Sequence, residues 1–248
     1  MQINHPHGNK KIFFIKYCER IINYLILLVL SIFLKIDRTK NEIIISSAFY
    51  APWKEDKNFY SFYEKIKNLT LLDVKRSYTL WNFANDLKNT SGNILDIGCL
   101  QGGAGFLMSK VNKKGVTYLF DTFEGFLEEE QFHKKKHFVF EDIKSVKNNI
   151  KKFKLKNTKV FKCNFPKGFS KNKKIKLCHL DVNTYKSTKE SFNFVKKKMV
   201  KGGIIVFDDY GIFGVDSIKN FINEISKKYK KDFSFIYNFM GQCIMIKK

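Results

Sequence analysis

Three carboxylates stand where two apolar runs end. The run KIKLCHLD closes on Asp181, and the run GGIIVFDD closes on Asp208 and Asp209. In an open α/β sheet, neighbouring strand ends face one crevice. Carboxylates gathered there repel one another unless a cation lies between them. Oxygen ligands of this kind suit Mg²⁺, Mn²⁺ or Ca²⁺ rather than zinc. Such a cation would orient a substrate hydroxyl and lower its pKa. On this reading Asp181 and Asp208 are the candidate catalytic residues, and Asp181, Asp208 and Asp209 are the candidate metal ligands. The competing reading is that one or two of them cap the following helices, with Asp209 closing a turn at Tyr210 and Gly211.

A second constellation lies upstream. Gly92–Gly103 reads GNILDIGCLQGG: an apolar run with Asp96 near its end, then Gly98, a spacer, Gly102 and Gly103. A strand, a glycine turn and a helix form the nucleoside-binding start of many α/β domains. The spacing here is D-x-G-x-x-x-G-G and not G-x-G-x-x-G, the pattern that lets a backbone approach a pyrophosphate. S-adenosylmethionine (SAM) has no pyrophosphate. It needs a carboxylate near its ammonium group and bare backbone beside its methionine portion. Asp121 ends the next apolar run, where a carboxylate can accept both ribose hydroxyls; its alternative is a turn or cap in DTFEGF. The candidate cofactor residues are therefore Asp96, Gly98, Gly102, Gly103 and Asp121.

These residues need a sheet to position them. From Asn93 onward the pattern alternates strand and helix. Strands are expected at Asn93–Ile97, Val116–Asp121, Thr158–Cys163, Ile175–Asp181, Gly203–Asp208, Phe233–Tyr237 and Gln242–Ile246. Helices are expected at Gly102–Val111, Asp142–Phe153, Thr188–Val200 and Val215–Tyr229. Nearly all-apolar strands imply a sheet covered on both faces. The last two strands are joined by a short turn and must be antiparallel. The expected fold is α/β: a doubly wound, mostly parallel seven-stranded sheet, Rossmann-like, with a C-terminal antiparallel hairpin. Ahead of it, Phe59–Leu87 carries apolar residues near helical spacing, expected to cover one edge of the sheet and close over the cofactor.

The N-terminal segment differs in kind. Residues 12–36 are apolar but interrupted by Lys16, Glu19 and Arg20. The strongest stretch, Ile21–Leu34, makes roughly 21 Å of helix against a hydrocarbon core of roughly 30 Å. A membrane-surface or shallow anchor, a packed or dimer-forming helix and a true span are the three readings. Cations flank both sides, so orientation is unreadable. The chain therefore divides into 1–40, an apolar helix with potential membrane contact; 41–90, a helical lead-in; and 91–248, the cofactor-binding domain. A short β-like run is expected at Glu42–Ala48.

Composition narrows the partners. The 248 residues are 44% hydrophobic, which excludes a disordered chain, and carry a formal charge of +23. An anionic partner is one reading, and AT-rich coding, which favours Lys, Asn, Ile and Phe together, is the other. Only Arg20, Arg38 and Arg76 are arginines. Nucleic-acid readers favour arginine forks, so nucleic acid is not expected as a partner. Five cysteines with no C-x-x-C indicate a reduced protein without a zinc site.

The runs LDIGCLQGG, LFDTFEGF and LDVNTYKSTKESFNFVKKKMVKGGIIVFDDYG resemble the macrocin O-methyltransferase family, across residues 58–231. That resemblance implies a class I methyltransferase fold and SAM- and Mg²⁺-dependent methylation of a sugar hydroxyl. It also implies Asp181, Asp208 and Asp209 as metal ligands, and Asp96, Gly98, Gly102, Gly103 and Asp121 as cofactor cradle. The family pattern D-x-D is Asp181-Val182-Asn183 here, and CNFPKGF replaces a glycine-containing loop after the third strand. His133, His137 and Glu141 fall four apart in a charged loop, as candidate bases or as a solvated lid. His179 reads as a packed core histidine. Lys186 is a candidate for positioning substrate, and Tyr185 and Tyr210 are candidate walls of the acceptor pocket. The expected enzyme is a cytoplasmic SAM-dependent O-methyltransferase at or near the inner membrane face, acting on a small-molecule or glycoconjugate hydroxyl, with homo-oligomerisation left open. Its rivals are an NAD(P)-dependent oxidoreductase, a membrane-associated binding protein and an RNA methyltransferase.

Overall fold

A computed structural model describes residues 10–34, 50–126, 129, 134–136, 138–140, 142–170, 172–212 and 215–248. The expected strand at Glu42–Ala48 and the trio His133, His137 and Glu141 lie outside them. The chain forms two compact units, Met1–Pro52 and Trp53–Lys248. In the first, residues Lys10–Leu34 form one helix, α1. Its charged residues lie in the N-terminal half, and its apolar side chains are widely exposed, Ile32 at 68% and Phe33 at 78%. Among the described residues no helix is long and apolar enough to cross a membrane.

Helix α2 (Pro52–Glu55) begins at the last residue of the first unit, and the second continues with α3 (Lys57–Ile66) and α4 (Val74–Asp86). Asp56 caps α3 by accepting from the Phe59 amide, and Asp73 caps α4 by accepting from the Lys75 and Arg76 amides. Then follow β1 (Asn93–Ile97), α5 (Gly103–Val111), β2 (Thr117–Asp121), α6 (Ile143–Lys152), β3 (Thr158–Lys162), β4 (Ile175–Leu180), α7 (Tyr185–Val195), β5 (Met199–Phe207), α8 (Asp216–Tyr229), β6 (Phe233–Asn238) and β7 (Gln242–Lys247). The sheet order is β3-β2-β1-β4-β5-β7-β6. The first five strands in the chain pair in parallel; β7 runs antiparallel to both β5 and β6. This is the expected mostly parallel seven-stranded sheet with its terminal hairpin. The chain order reverses between β1 and β4, so a crevice opens there at the strands' C-terminal ends.

Three boundaries differ from expectation by three residues or more. Helix α7 starts at Tyr185, not Thr188, because the Thr184 side chain accepts from the Ser187 amide and caps it three residues earlier. It stops at Val195, and Met199 and Val200 already belong to β5. A register shift across Ile175–Leu177 against Met199–Ile204 absorbs Gly202 and Gly203 as a bulge.

Strand periodicity sorts the core onto two faces. Leu95, Ile97, Leu180, Ile205, Phe207 and Met245 pack against α7 and α8 through Phe192, Val195, Phe221 and Ile222. Ile94, Leu177, Ile204, Val206 and Ile244 point the other way, against Leu80 and Ala84 of α4 and Met108 of α5. Phe59, Phe62, Ile66 and Trp81 extend that second layer over Phe106 and Leu119. The lead-in helices therefore cover a face of the sheet together with α5, rather than only an edge.

Candidate active site

The same periodicity aims the polar residues. Asp96 follows Ile94, His179 and Asp181 follow Leu177, Asp208 follows Val206, and Gln242 precedes Ile244, so all five face the α4–α5 layer. At the strand ends lies a cavity of about 310 Å³ whose wall includes Leu71, Leu72, Arg76, Gly98, Leu100, Asp121, Asp181, Asn183, Lys186, Asp208 and Asp209. Gly98, Asp121, Asp181, Asp208 and Asp209 thus share one wall, while Asp96, Gly102 and Gly103 stand behind it.

Gly98 has φ +88°, and a Cβ there would lie 1.8 Å from the Asp181 carbonyl oxygen. Only bare backbone lets the turn after β1 pass so close to the end of β4. Gly103 serves packing: a Cβ would meet the Leu69 carbonyl oxygen at 2.5 Å, where α5 starts beneath the Leu69–Thr70 segment. Asp121 accepts from the Leu100 amide at 2.8 Å and from the Phe123 amide at 2.7 Å. These bonds fix its carboxylate at the cavity edge. Burial pushes its pKa up, against those amides, which pull it down. Cys163, Asn164 and Phe165, from the loop after β3, line the cavity beyond it.

Asp96 is fully buried, and its Oδ1 lies 2.8 Å from His179 Nδ1. Burial opposes charge on His179, but the hydrogen bond and charge of Asp96 prevail and raise its pKa to about 9. Asp181 is pushed well above the usual carboxylate range by burial first and then by Asp208 and Asp209. Asp209 is raised to about 6, again chiefly by burial and by Asp208. Single donor atoms from His179, Asp181 and Asp208 lie within 4.8 Å of one another, close enough for one cation. Asn183, at φ +56°, turns its amide to donate to Asp181 Oδ1 at 3.0 Å and Asp209 Oδ2 at 2.6 Å. The carboxylate set, and the unpartnered Asp96 Oδ2 behind it, fit a site that holds positive charge.

Two participants were not singled out in the sequence. Arg76, from the first turn of α4, places Nη1 2.5 Å from Asp208 Oδ2 and 3.6 Å from Asp209 Oδ1, and Nε 2.9 Å from Asp73 Oδ2. Gln242, fully buried on β7, donates to Asp208 Oδ1 at 3.0 Å. One signal for Arg76 was available: in a chain that uses lysine almost throughout, a lone arginine in the domain marks a position that needs a planar fork.

Tyr185 and Tyr210 do not wall the cavity. The early start of α7 turns Tyr185 to donate to Glu224 Oε2 at 2.7 Å on α8, and Tyr210 stacks on Tyr237 at 5.0 Å. Lys186 does line it.

A glycine turn after β1, an acid ending β2 and carboxylates ending β4 and β5, on this strand order, define a class I methyltransferase architecture. The macrocin-O-methyltransferase (TylF) family model matches residues 69–235, and the chain belongs to that family. It is a SAM-dependent O-methyltransferase. Solved structures agree on the fold. The O-methyltransferase NovP is similar with a TM-score of 0.63 at 16% identity, over 73% of this chain and 82% of NovP. A putative caffeoyl-CoA O-methyltransferase from Staphylococcus aureus gives 0.55 at 14%, over 77% and 91%. An O-methyltransferase from Bacillus cereus in complex with SAH gives 0.54 at 15%, over 76% and 91%. No individual curated protein sequence matches significantly.

Proposed function

We propose that this enzyme methylates a hydroxyl of a sugar or glycoconjugate, assisted by Mg²⁺ or Mn²⁺ at Asp181, Asp208 and Asp209. One observation carries the reading: the bare Gly98 turn, the Asp121 carboxylate and the acidic ends of β4 and β5 border a single cavity. On this reading Asp121 accepts the ribose hydroxyls, and the Gly98 turn lies beside the methionine portion. Asp96, paired with His179, does not line the cavity itself. Gly103 lets α5 begin close to the Leu69–Thr70 segment, and Gly102 leaves room for the Phe106 ring.

Bound SAM supplies an electrophilic methyl group, and a bound divalent cation supplies Lewis acidity to the acceptor oxygen. The chain's own residues do the rest. Gln242 holds Asp208 in one orientation, and Asn183 ties Asp181 to Asp209. Asp181 and Asp208 would hold the cation against the acceptor hydroxyl. Leu71 and Leu72 border the cavity, and alignment of the reacting atoms would contribute most of the rate.

Helix α1 supports a membrane-surface role for the N-terminal unit. About 14 uncharged residues follow its cationic first half, a pattern suited to lying shallowly in an anionic interface. The catalytic unit would then face the cytoplasm.

Calorimetric titration with S-adenosylhomocysteine, first with Mg²⁺ and then with chelator, tests the reading, with NADH as the control ligand. Micromolar binding of S-adenosylhomocysteine and none of NADH is expected. A sugar-acceptor screen with product analysis follows; a methylated catechol or nucleic acid in place of a sugar would overturn the acceptor class.

A further inference from the structure

We infer that Arg76 and a divalent cation compete for Asp208, so that Arg76 is the counter-ion of the metal-free site and must leave it when metal enters. The inference rests on the metal site proposed above and assigns a role to a residue outside it. Oxygens of all three carboxylates are already engaged by protein donors. Asp208 Oδ2 accepts from Arg76 Nη1 at 2.5 Å, and Asp208 Oδ1 from Gln242 at 3.0 Å. Asp181 Oδ1 and Asp209 Oδ2 accept from the Asn183 amide. Of these donors only Arg76 carries a charge. A guanidinium and a divalent cation on one carboxylate oxygen repel strongly at such distances, so the two occupy it in turn.

Arg76 also has a way out. It borders the cavity, and its side chain is 16% exposed. Its Nε donates to Asp73 Oδ2 at 2.9 Å, so a half-exposed carboxylate at the α4 cap can keep the guanidinium when the whole planar group shifts away from Asp208. His179 does not engage these oxygens: its Nδ1 pairs with Asp96, and its Nε2 has no hydrogen-bond partner.

The test is calorimetric titration of Mg²⁺ and Mn²⁺ into the full-length wild type, Arg76→Met and Arg76→Lys, each checked by thermal melt. Arg76→Met should bind metal about tenfold tighter or more, since it removes a positive charge from the site, and Arg76→Lys should stay near wild type. Equal or weaker binding by folded Arg76→Met overturns the competition and leaves the metal site standing. Binding by none of the three overturns both. If Arg76→Met does not fold, the wild type answers alone. The chain has three arginines, Arg20, Arg38 and Arg76, so their Nε–H signals can be separated in a nitrogen-15 spectrum. Mg²⁺ should move the Arg76 signal and leave the other two. An unmoved Arg76 signal, with binding seen by calorimetry, overturns the competition.

Discussion

Arg76 and Asp208 are 132 positions apart in the chain and meet at 2.5 Å in the active-site cavity. The pair joins the capped start of α4 to the end of β5. It also gives the acidic strand ends a positive neighbour, which a cluster of buried carboxylates requires.

Asp208→Asn should separate the two halves of the site. Turnover in the presence of Mg²⁺ should fall by about 10²-fold or more, because the substitution removes a charge from the proposed metal site. Affinity for S-adenosylhomocysteine should change little, since Asp208 lies away from Asp121 and Gly98 on the cavity wall. Undiminished turnover in steady-state assays would remove Asp208 from the metal set.

Asp121→Ala should weaken S-adenosylhomocysteine binding by about 1.5–3 kcal/mol, the cost of losing hydrogen bonds to a charged acceptor. The pH dependence has a defined sign. Burial raises the Asp121 pKa, so its charged form is lost, as pH falls, sooner than for an exposed aspartate. Nucleoside affinity, which needs the carboxylate, should therefore decline with falling pH in the wild type. Asp121→Asn should show a flat profile over the same range. Parallel profiles for the two proteins in chelator would exclude Asp121 as the titrating group.

Gly98→Ala tests the closeness of the β1 turn to β4. The added Cβ would fall 1.8 Å from the Asp181 carbonyl oxygen, on backbone already at positive φ. A loss of about 2–4 kcal/mol in urea unfolding is expected, in the range of severe backbone strain. Wild-type stability together with wild-type cofactor affinity would contradict the geometry.

Lys176 holds the other end of the sheet. Its fully buried ammonium donates to the carbonyl oxygens of Leu87, Thr90 and Lys114 at 2.9–3.0 Å, and to that of Lys88 at 3.4 Å. Lys176→Met leaves those acceptors without their shared donor and should cost about 2–4 kcal/mol by denaturant unfolding. Protein that remains folded should bind S-adenosylhomocysteine normally, because Lys176 begins β4 and the cavity lies at its far end. A cofactor defect larger than the stability loss would mean that Lys176 acts on the site.

Removal of residues 1–52 should abolish flotation with anionic vesicles while the remaining unit, which has its own core, keeps cofactor binding. Flotation that persists would shift the membrane contact to the lysine-rich surface of the catalytic unit.

Local pattern was enough to determine the strands, their approximate ends and the terminal hairpin. Apolar runs bounded by glycine and acid leave few other folds, and a two-residue repeat assigns each strand residue to a face. That repeat already aligned Asp96, His179, Asp181 and Asp208 towards one layer. It could not say what that layer would bring. Arg76 reaches Asp208 only because α4 packs on the face it shares with α5, and Gln242 reaches it only because β7 inserts between β5 and β6. The turning of Tyr185 to Glu224 likewise followed from a cap at Thr184 and the position of α8. Sequence spacing encodes neighbours along one element, whereas the partners of a buried charge come from distant elements and are decided when those elements pack.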